Sequence, residues 1–522
     1  MRSDPTTLQV SAPPKSELVQ GLGLISATTL VIGSMIGSGI YIVSADIARL
    51  VDSPALLIAA WLVTGFMTIV GALCYGELAA MMPHAGGQYV YLRESLGPLW
   101  GFLYGWTLFL VIQTGTIAAV GVAFGKFLGI FMPSVSSTHW LIHIAHVPTI
   151  HFGAMVLGNM EVGLNTQNLV AVLVITLLSI INVFGVKLGA AIQNVFTVAK
   201  MAALLGLVLL GLFWGRNAMA FAANFGSKFW RNAGPHSLHA VQVGGGGPTV
   251  LIGMIAIVAV AQVGSLFSAD AWNNITFTAG EVKNSHRNLP LSLAIGTGVV
   301  ILLYTLANFG YLAVLPLKGD PSGATILARG IQYASEDRVA TAVVEQIVGP
   351  AGAGIMAIAI LVSSFGCMNG MILAGARVYY AMAKDGLFFA NAGKIHERYR
   401  TPAHSLAVQC IWTCILCISG SYGQLLDYII FAVLMFYILT IGGLIVLRFK
   451  RPDQPRPYRA IGYPVLPVIY ILMAVYIDGV LLRYKPQYTW PGLIIVLIGL
   501  PVYFLWSRTG TVAVVPPSIE GA

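Results

Sequence analysis

The residues of this chain that can do chemistry are small and polar ones placed inside apolar stretches. The first group is Val31-Ile32-Gly33-Ser34-Met35-Ile36-Gly37-Ser38-Gly39-Ile40-Tyr41, within an apolar segment from about Leu24 to Val51. A helix crossing lipid must satisfy its own backbone groups. Gly37-Ser38-Gly39 is where that rule breaks most easily, because glycine tolerates the torsions of an unwound turn. An unwound turn there frees N–H groups at the positive end of the second half-helix, where they attract an anion such as a carboxylate. The competing reading is a packing seam built on Gly33 and Gly37 as a small-xxx-small pair. The second group is Gly264-Ser265-Leu266-Phe267-Ser268-Ala269-Asp270-Ala271-Trp272-Asn273-Asn274. An aspartate and two asparagines in mid-membrane are costly unless they face a cavity. Asp270 at the start of a second half-helix would also cap it. Two such interruptions, five spans apart in corresponding positions of two halves, point to an inverted repeat with a site at the midplane.

Lys200 is the third candidate, early in an apolar segment reading Gln193-Asn194-Val195-Phe196-Thr197-Val198-Ala199-Lys200-Met201-Ala202-Ala203. A lysine near a helix end can reach the interface with its ammonium. A buried Lys200 would instead be a fixed positive charge or a proton carrier.

These residues need membrane helices to hold them. The chain has 522 residues, of which 57% are hydrophobic and 9% charged, a mixture that excludes a water-soluble fold. Apolar runs of roughly 20 residues, enough to span a bilayer, recur from end to end. We expect about twelve spans, near 24–50, 54–80, 98–131, 167–185, 189–214, 248–278, 291–315, 349–380, 404–420, 424–447, 464–483 and 491–507. Prolines 54, 98, 290, 464 and 491 stand at or near span entrances, where a missing N–H costs least. Met1 to Gln20 lack the apolar core of a signal peptide and read as a cytoplasmic tail. Lys and Arg crowd alternate loops, at Arg93, Lys187, Lys283, Arg287, Lys384 to Arg400 and Arg448 to Arg459, whereas 132–166 has none. That asymmetry places both termini inside. The net charge of +9 sits in those loops and is not a nucleic-acid signature.

Other motifs carry less. His139, His143 and His146 have helical spacing and read as the polar face of an external amphipathic helix, with no metal expected; His151 lies in the same loop. Cys410, Cys414 and Cys417 share a helix face without a partner set for a metal and read, with Cys74 and Cys367, as small packing residues. Gly244–Gly247 is a flexible lead-in, with no Lys-Ser/Thr after it to make a phosphate loop.

Gly33-Ser-Met-Ile-Gly37-Ser38-Gly39-Ile40 resembles the first-helix signature of the amino acid–polyamine–organocation (APC) superfamily. So do Gly76-Glu77 through Tyr91, Asn288-Leu289-Pro290, Ser364-Phe365-Gly366-Cys367-Met368-Asn369-Gly370, Ala376-Arg377-Val378-Tyr379-Tyr380 and Lys384-Asp385-Gly386. The resemblance runs from Leu22 to about Gly462. Within it, Val183 to Lys200 is similar to the L-type amino-acid transporters. It implies an all-α polytopic membrane protein with a five-plus-five inverted repeat and discontinuous helices one and six. The division would be a tail 1–23, a core 24–447 split into repeats 24–214 and 248–447, two extra helices in 464–507, and a cytoplasmic tail 508–522. It also implies a substrate site. The α-carboxylate would meet N–H groups at Ser38, Gly39 and Ile40, beside Gly37. The α-amino group would meet carbonyls near Met35, Phe267 and Ser268, with Phe267 as the outer gate. Lys200 would replace the sodium ion of related carriers, with Ser363 and Ser364 as neighbours.

Two departures qualify this. Loop 132–166 has no cysteine, so no disulfide-linked heavy chain is expected. Asp270 stands where animal relatives have glycine; it would either cap the half-helix, the preferred reading, or select cationic substrates. The resulting expectation is a sodium-independent secondary transporter of neutral L-amino acids that works by alternating access and exchange, in a plasma membrane of bacterial inner-membrane type. It needs no cofactor and no metal, and is not an enzyme. Alternatives are a proton-coupled symporter, a cationic amino-acid or polyamine antiporter using Asp270, and a nutrient sensor on a transporter scaffold.

Overall fold

The computed structural model describes residues 18–508 except 149, 153–154, 158–159, 244–246 and 420–421. The expected tails, up to residue 17 and beyond 508, and glycines 244–246 lie outside the described residues, as does the side chain of His151.

Among the described residues, nine helices are long and apolar enough to cross a membrane. The first and sixth spans, each broken, and the short ninth span Ala403–Ser419 complete the expected twelve. Entrances follow local rules. Ser53 caps Pro54–Met81, its hydroxyl accepting from the Leu56 amide, and Pro54 takes the first helical position. Asn165 caps Thr166–Val183 through the Asn168 amide at 2.8 Å. Gly185 turns the chain into Val186–Trp214 at φ +131°, a torsion open to glycine.

The breaks are real. The first span is helical over Leu24–Met35, extended at Ile36, a single 3₁₀ turn over Gly39–Tyr41, and helical again over Val43–Val51. The sixth is helical over Met254–Ser268, and the next helical turn is the short Asn274–Phe277. Ala271, between them, holds φ +63°, a strained torsion for a residue with a Cβ. The third span, Pro98–Leu128, contains a π segment at Leu108–Ile112.

The loop expectations need correction. The histidine loop is not a helix. Trp140–Val147 pairs antiparallel with Met160–Asn165, and Ile150–Phe152 with Met155–Leu157. Its β-branched and aromatic residues suit a strand. The sixth span is entered through strand Thr249–Gly253, paired with Leu238–Gln242, so its helix starts at Met254 rather than 248. The molecule is therefore all-helical only within its spans.

Charges gather at the end of the bundle where the first span starts. Arg377 and Glu281, both fully buried, form a two-pronged pair at 2.9 and 3.1 Å. Leu22 donates to the Glu281 carbonyl and accepts from the Lys283 amide, so the residues before the first span are tied to those after the sixth. Glu77, also fully buried, takes Arg448 at 2.6 Å and the Ala460 amide at 2.7 Å. Arg93 pairs with Asp385, which also accepts the Tyr89 hydroxyl at 2.6 Å. Breaking a buried pair on one side leaves an uncompensated charge, at a cost of about 3–5 kcal/mol. Glu281→Gln should therefore lower the melting temperature of the purified protein, and Glu281→Met with Arg377→Met should recover most of the loss. A single variant that melts like the parent would contradict this.

Candidate functional site

The unwound turn of the first span exposes a row of carbonyls in a region with no water, and each meets a side-chain donor from a distant span. The Lys200 ammonium donates to the carbonyls of Gly33 and Ile36 at 2.8 Å and to that of Ser363 at 2.9 Å. Its three protons are thus all used. Lys200 is fully buried, so the snorkelling alternative is overturned. The Ser363 hydroxyl lies 3.0 Å from the carbonyls of both Ile36 and Gly37. The Cys367 thiol donates to the Ser34 carbonyl and the Tyr311 hydroxyl to that of Ile40. The Tyr304 hydroxyl lies between the Met35 carbonyl at 3.0 Å and the Ser268 carbonyl at 3.1 Å, bridging the two breaks.

Small residues let these partners approach. A Cβ on Gly366 would sit 3.2–3.3 Å from the end of the Lys200 side chain. One on Gly33 would strike Gln193 and Thr197 of the fifth span. One on Gly39 would come within 2.3 Å of the Ser268 hydroxyl and 3.1 Å of its Cα. The two breaks therefore touch directly through Gly39 and Ser268. Among the described residues, the amides of Gly39 and Ile40 have no protein acceptor. They head the 3₁₀ turn, where a dipole end attracts negative charge.

The second break supplies polar side chains. Asp270 does not cap the following turn, whose cap position is Asn273. The reversal at Ala271 turns the chain before any helix can begin, and the carboxylate instead accepts the Tyr437 hydroxyl at 2.6 Å. Asn273 donates to Gln88, which donates to Thr440. The side-chain nitrogen of Asn274 is buried and has no partner among the described residues. Asp270, Asn273 and Asn274 line a cavity of about 20 Å³ with Tyr104, Leu108, Ile112 and Gln113 of the third span, Met371 of the eighth and Tyr437 of the tenth. That holds little more than one water. An amino acid fits only after these spans part.

The candidate residues thus fall into two adjoining groups. Met35, Gly37, Ser38, Gly39, Ile40, Phe267, Ser268, Lys200 and Ser363 surround the touching breaks; Phe267 is half-buried in the last helical turn before the sixth break. Asp270 faces the cavity instead. Ser364 is buried, and among the described residues its hydroxyl meets no partner; Lys200 bonds the Ser363 backbone instead. Sequence reasoning missed Gln88, Tyr104, Tyr304 and Tyr437, whereas Asn273 and Asn274 face a cavity, as the cost of placing them in mid-membrane implies. Tyrosines in apolar helices give no local signal of which carbonyl they will reach.

On the hairpin Trp140–Asn165, His143 and His146 reach the two oxygens of Glu161 at 2.7 and 2.8 Å. Their hydrogen bonds hold the Glu161 carboxyl below its ordinary range. The expectation of isolated histidines on a helix is therefore corrected in its partner as well as its shape.

The close approach at Gly39 makes a sharp prediction. Gly39→Val should abolish substrate binding measured by thermal shift, whereas Ser38→Ala, whose side chain does not cap the turn, should change affinity by less than about threefold.

Comparison with known proteins agrees with this architecture. A family profile described as amino acid permease matches residues 22–503. The human large neutral amino acids transporter small subunit 2 is 30% identical over 496 residues, covering 94% of this chain and 80% of that protein. The human b(0,+)-type amino acid transporter 1 is 28% identical over 512 residues, 97% of this chain and 91% of the relative. The serine/threonine exchanger SteT of Bacillus subtilis is 26% identical over 489 residues, 93% and 97% of the two chains. With a profile match over nearly its whole length and two helices broken face to face in the bilayer, the chain belongs to the amino acid permease family of the APC superfamily and is an amino-acid transporter of the membrane.

Proposed function

We propose that this protein exchanges neutral L-amino acids across a bacterial inner membrane by alternating access, without sodium. The observation that carries the reading is the Lys200 ammonium held by three carbonyls of the first and eighth spans. Three convergent carbonyl oxygens are ligands of the kind a sodium ion uses, and the tethered ammonium takes them. The substrate carboxylate binds the amides of Gly39 and Ile40, with Ser38 and Gly37 shaping the turn. The amino group binds the carbonyls of Met35, Phe267 and Ser268. Each carbonyl has two lone pairs, so an ammonium can share the oxygens that the Tyr304 hydroxyl approaches. Phe267 closes the outer side. Ser363 steadies the Ile36 and Gly37 carbonyls, and Ser364 lies beside it.

The reading includes inward termini, from the distribution of Lys and Arg, and no disulfide-linked heavy subunit, because loop 132–166 has no cysteine. The name small subunit belongs to the human relative.

Reconstituted vesicles test the mode. Labelled amino acid should enter preloaded vesicles and not empty ones, and choline in place of sodium should leave the flux unchanged. Lys200→Ala should cut that flux about tenfold or more while weakening binding less, since the loss falls on packing of the moving turn. Uptake into empty vesicles driven by a pH gradient would replace exchange with proton symport.

One observation favours a second reading, an exchanger of cationic substrates. Asp270 lines the cavity and its carboxylate is held by a neutral hydroxyl, with no cation paired to it among the described residues. Asp270→Asn separates the two. Loss of arginine or polyamine uptake with neutral uptake retained supports the second reading, and equal effects on both classes support the first.

A further inference from the structure

The π segment of the third span, Leu108–Ile112, has two faces. Widened turns of this kind leave carbonyls in need of donors and recur at functional positions. Here Thr114 donates to the Phe109 carbonyl at 2.6 Å, and the Trp412 indole N–H to that of Leu110 at 2.9 Å. On one face, Leu108 and Ile112 line the small cavity beside Asp270. On the other, Phe109 and Leu110 line a groove of about 430 Å³ between the third, ninth and twelfth spans and the segment after the eighth.

The groove wall is wholly apolar and mostly aromatic, with Trp106, Phe109, Phe388 and Trp412 among its rings. The Trp106 and Trp412 N–H groups already donate to the carbonyls of Ile495 and Leu110. The groove is open to the bilayer: Ile411 and Phe389 on its wall are 62% and 53% exposed. Its occupant must therefore come from the lipid. The groove sits at the Lys/Arg-rich end. Trp106 is in the first turns of a span that starts at Pro98, and Met382 and Leu387 flank the end of the eighth helix at Lys384. The stretch 384–400 carries Lys384, Lys394, Arg398 and Arg400 against Asp385 and Glu397. A net-positive stretch that includes the groove residues Leu387, Phe388 and Phe389 matches a lipid with an anionic headgroup.

We propose that the groove binds one acyl chain of an anionic phospholipid, and that its occupancy sets the position of the π segment and so the opening of the cavity behind it. The second half of this proposal rests on the transport reading; the first does not. The link is Phe109, whose ring packs on Tyr379 and Phe388 at 5.2 Å and on Trp412 at 6.1 Å. A chain lying against these rings contacts the residue next to Leu108 in the π segment. Parting the third span to admit substrate moves Phe109 relative to the chain. The lipid then has different contacts in the two conformations, which is what any effector needs to shift them.

Native mass spectrometry of the purified full chain in detergent, titrated with phosphatidylglycerol or phosphatidylcholine, tests the binding half. The parent should retain phosphatidylglycerol preferentially, and Val408→Trp, which fills the groove from the ninth span, should lose about tenfold of that retention. Ile411→Trp serves as a second filling variant should Val408→Trp melt early. Equal retention by parent and filled variants, or equal retention of both lipids, overturns the site. Exchange flux in vesicles of the two lipids tests the coupling. The parent should run several-fold faster with phosphatidylglycerol, and Trp412→Phe, which keeps a ring but loses the bond to Leu110, should retain the lipid and lose the rate difference. Retention without any lipid dependence of the parent's flux overturns the coupling alone. A parent that binds lipid and shows no flux in either vesicle overturns the transport reading and leaves the lipid site standing.

Discussion

A helix that stops halfway across a bilayer leaves peptide groups that no solvent can satisfy. The rest of this structure depends on how that requirement is met. The carbonyls of Gly33, Ser34, Met35, Ile36, Gly37 and Ile40 take donors from Lys200, Cys367, Tyr304, Ser363 and Tyr311. These side chains come from the fifth, seventh and eighth spans. The break is therefore held open by the packed bundle, and the bundle is keyed to the break. Among the described residues, the amides at the other side of the turn, Gly39 and Ile40, have no backbone acceptor. A gap whose carbonyls are met by the protein while these N–H groups are not is polarised before anything binds.

The same logic accounts for the contacts of Lys200. Nζ offers three protons to three carbonyls and needs no counter-ion nearby, because the carbonyl dipoles supply the negative potential. The ammonium is covalently attached and cannot leave with the substrate. The contact between Gly39 and Ser268 adds a steric condition: the breaks can touch only if one of them lacks a Cβ. The ion pairs at the Lys/Arg-rich end, with Leu22 bonded on both sides of Val282, join the flanks of the first and sixth spans. The two broken helices are thus linked at their centres by Tyr304 and at one end by Glu281 and Arg377. Movement of one must carry the other.

Asp270 departs from the simplest scheme. An aspartate beside an unwound turn invites the reading of a helix cap. The torsion at Ala271 removes the helix it would cap and turns the carboxylate toward Tyr437 and the cavity. The strained residue and the polar lining lie at the same place, as expected where backbone strain shapes a site.

The amino-acid sequence alone determined the membrane class, the number of spans and the location of both breaks, and it singled out Lys200 as a lone charge within an apolar run. Each of these is a one-dimensional property: length of apolar runs, glycine pairs within them, and lone polar residues that lipid would otherwise exclude. Only the tertiary structure decided which donors meet which carbonyls, because Tyr304 lies 269 residues from Met35 and Lys200 lies 163 from Ser363. It also decided that the histidine loop is a hairpin. The spacing of His139, His143 and His146 suits a helix, yet Glu161 sits 15 residues beyond His146 and is reached only when the chain folds back. The cavity, the π segment and the groove behind it were invisible for the same reason. Their walls are drawn from several spans, and a space between helices is a property of their packing, which no single segment encodes.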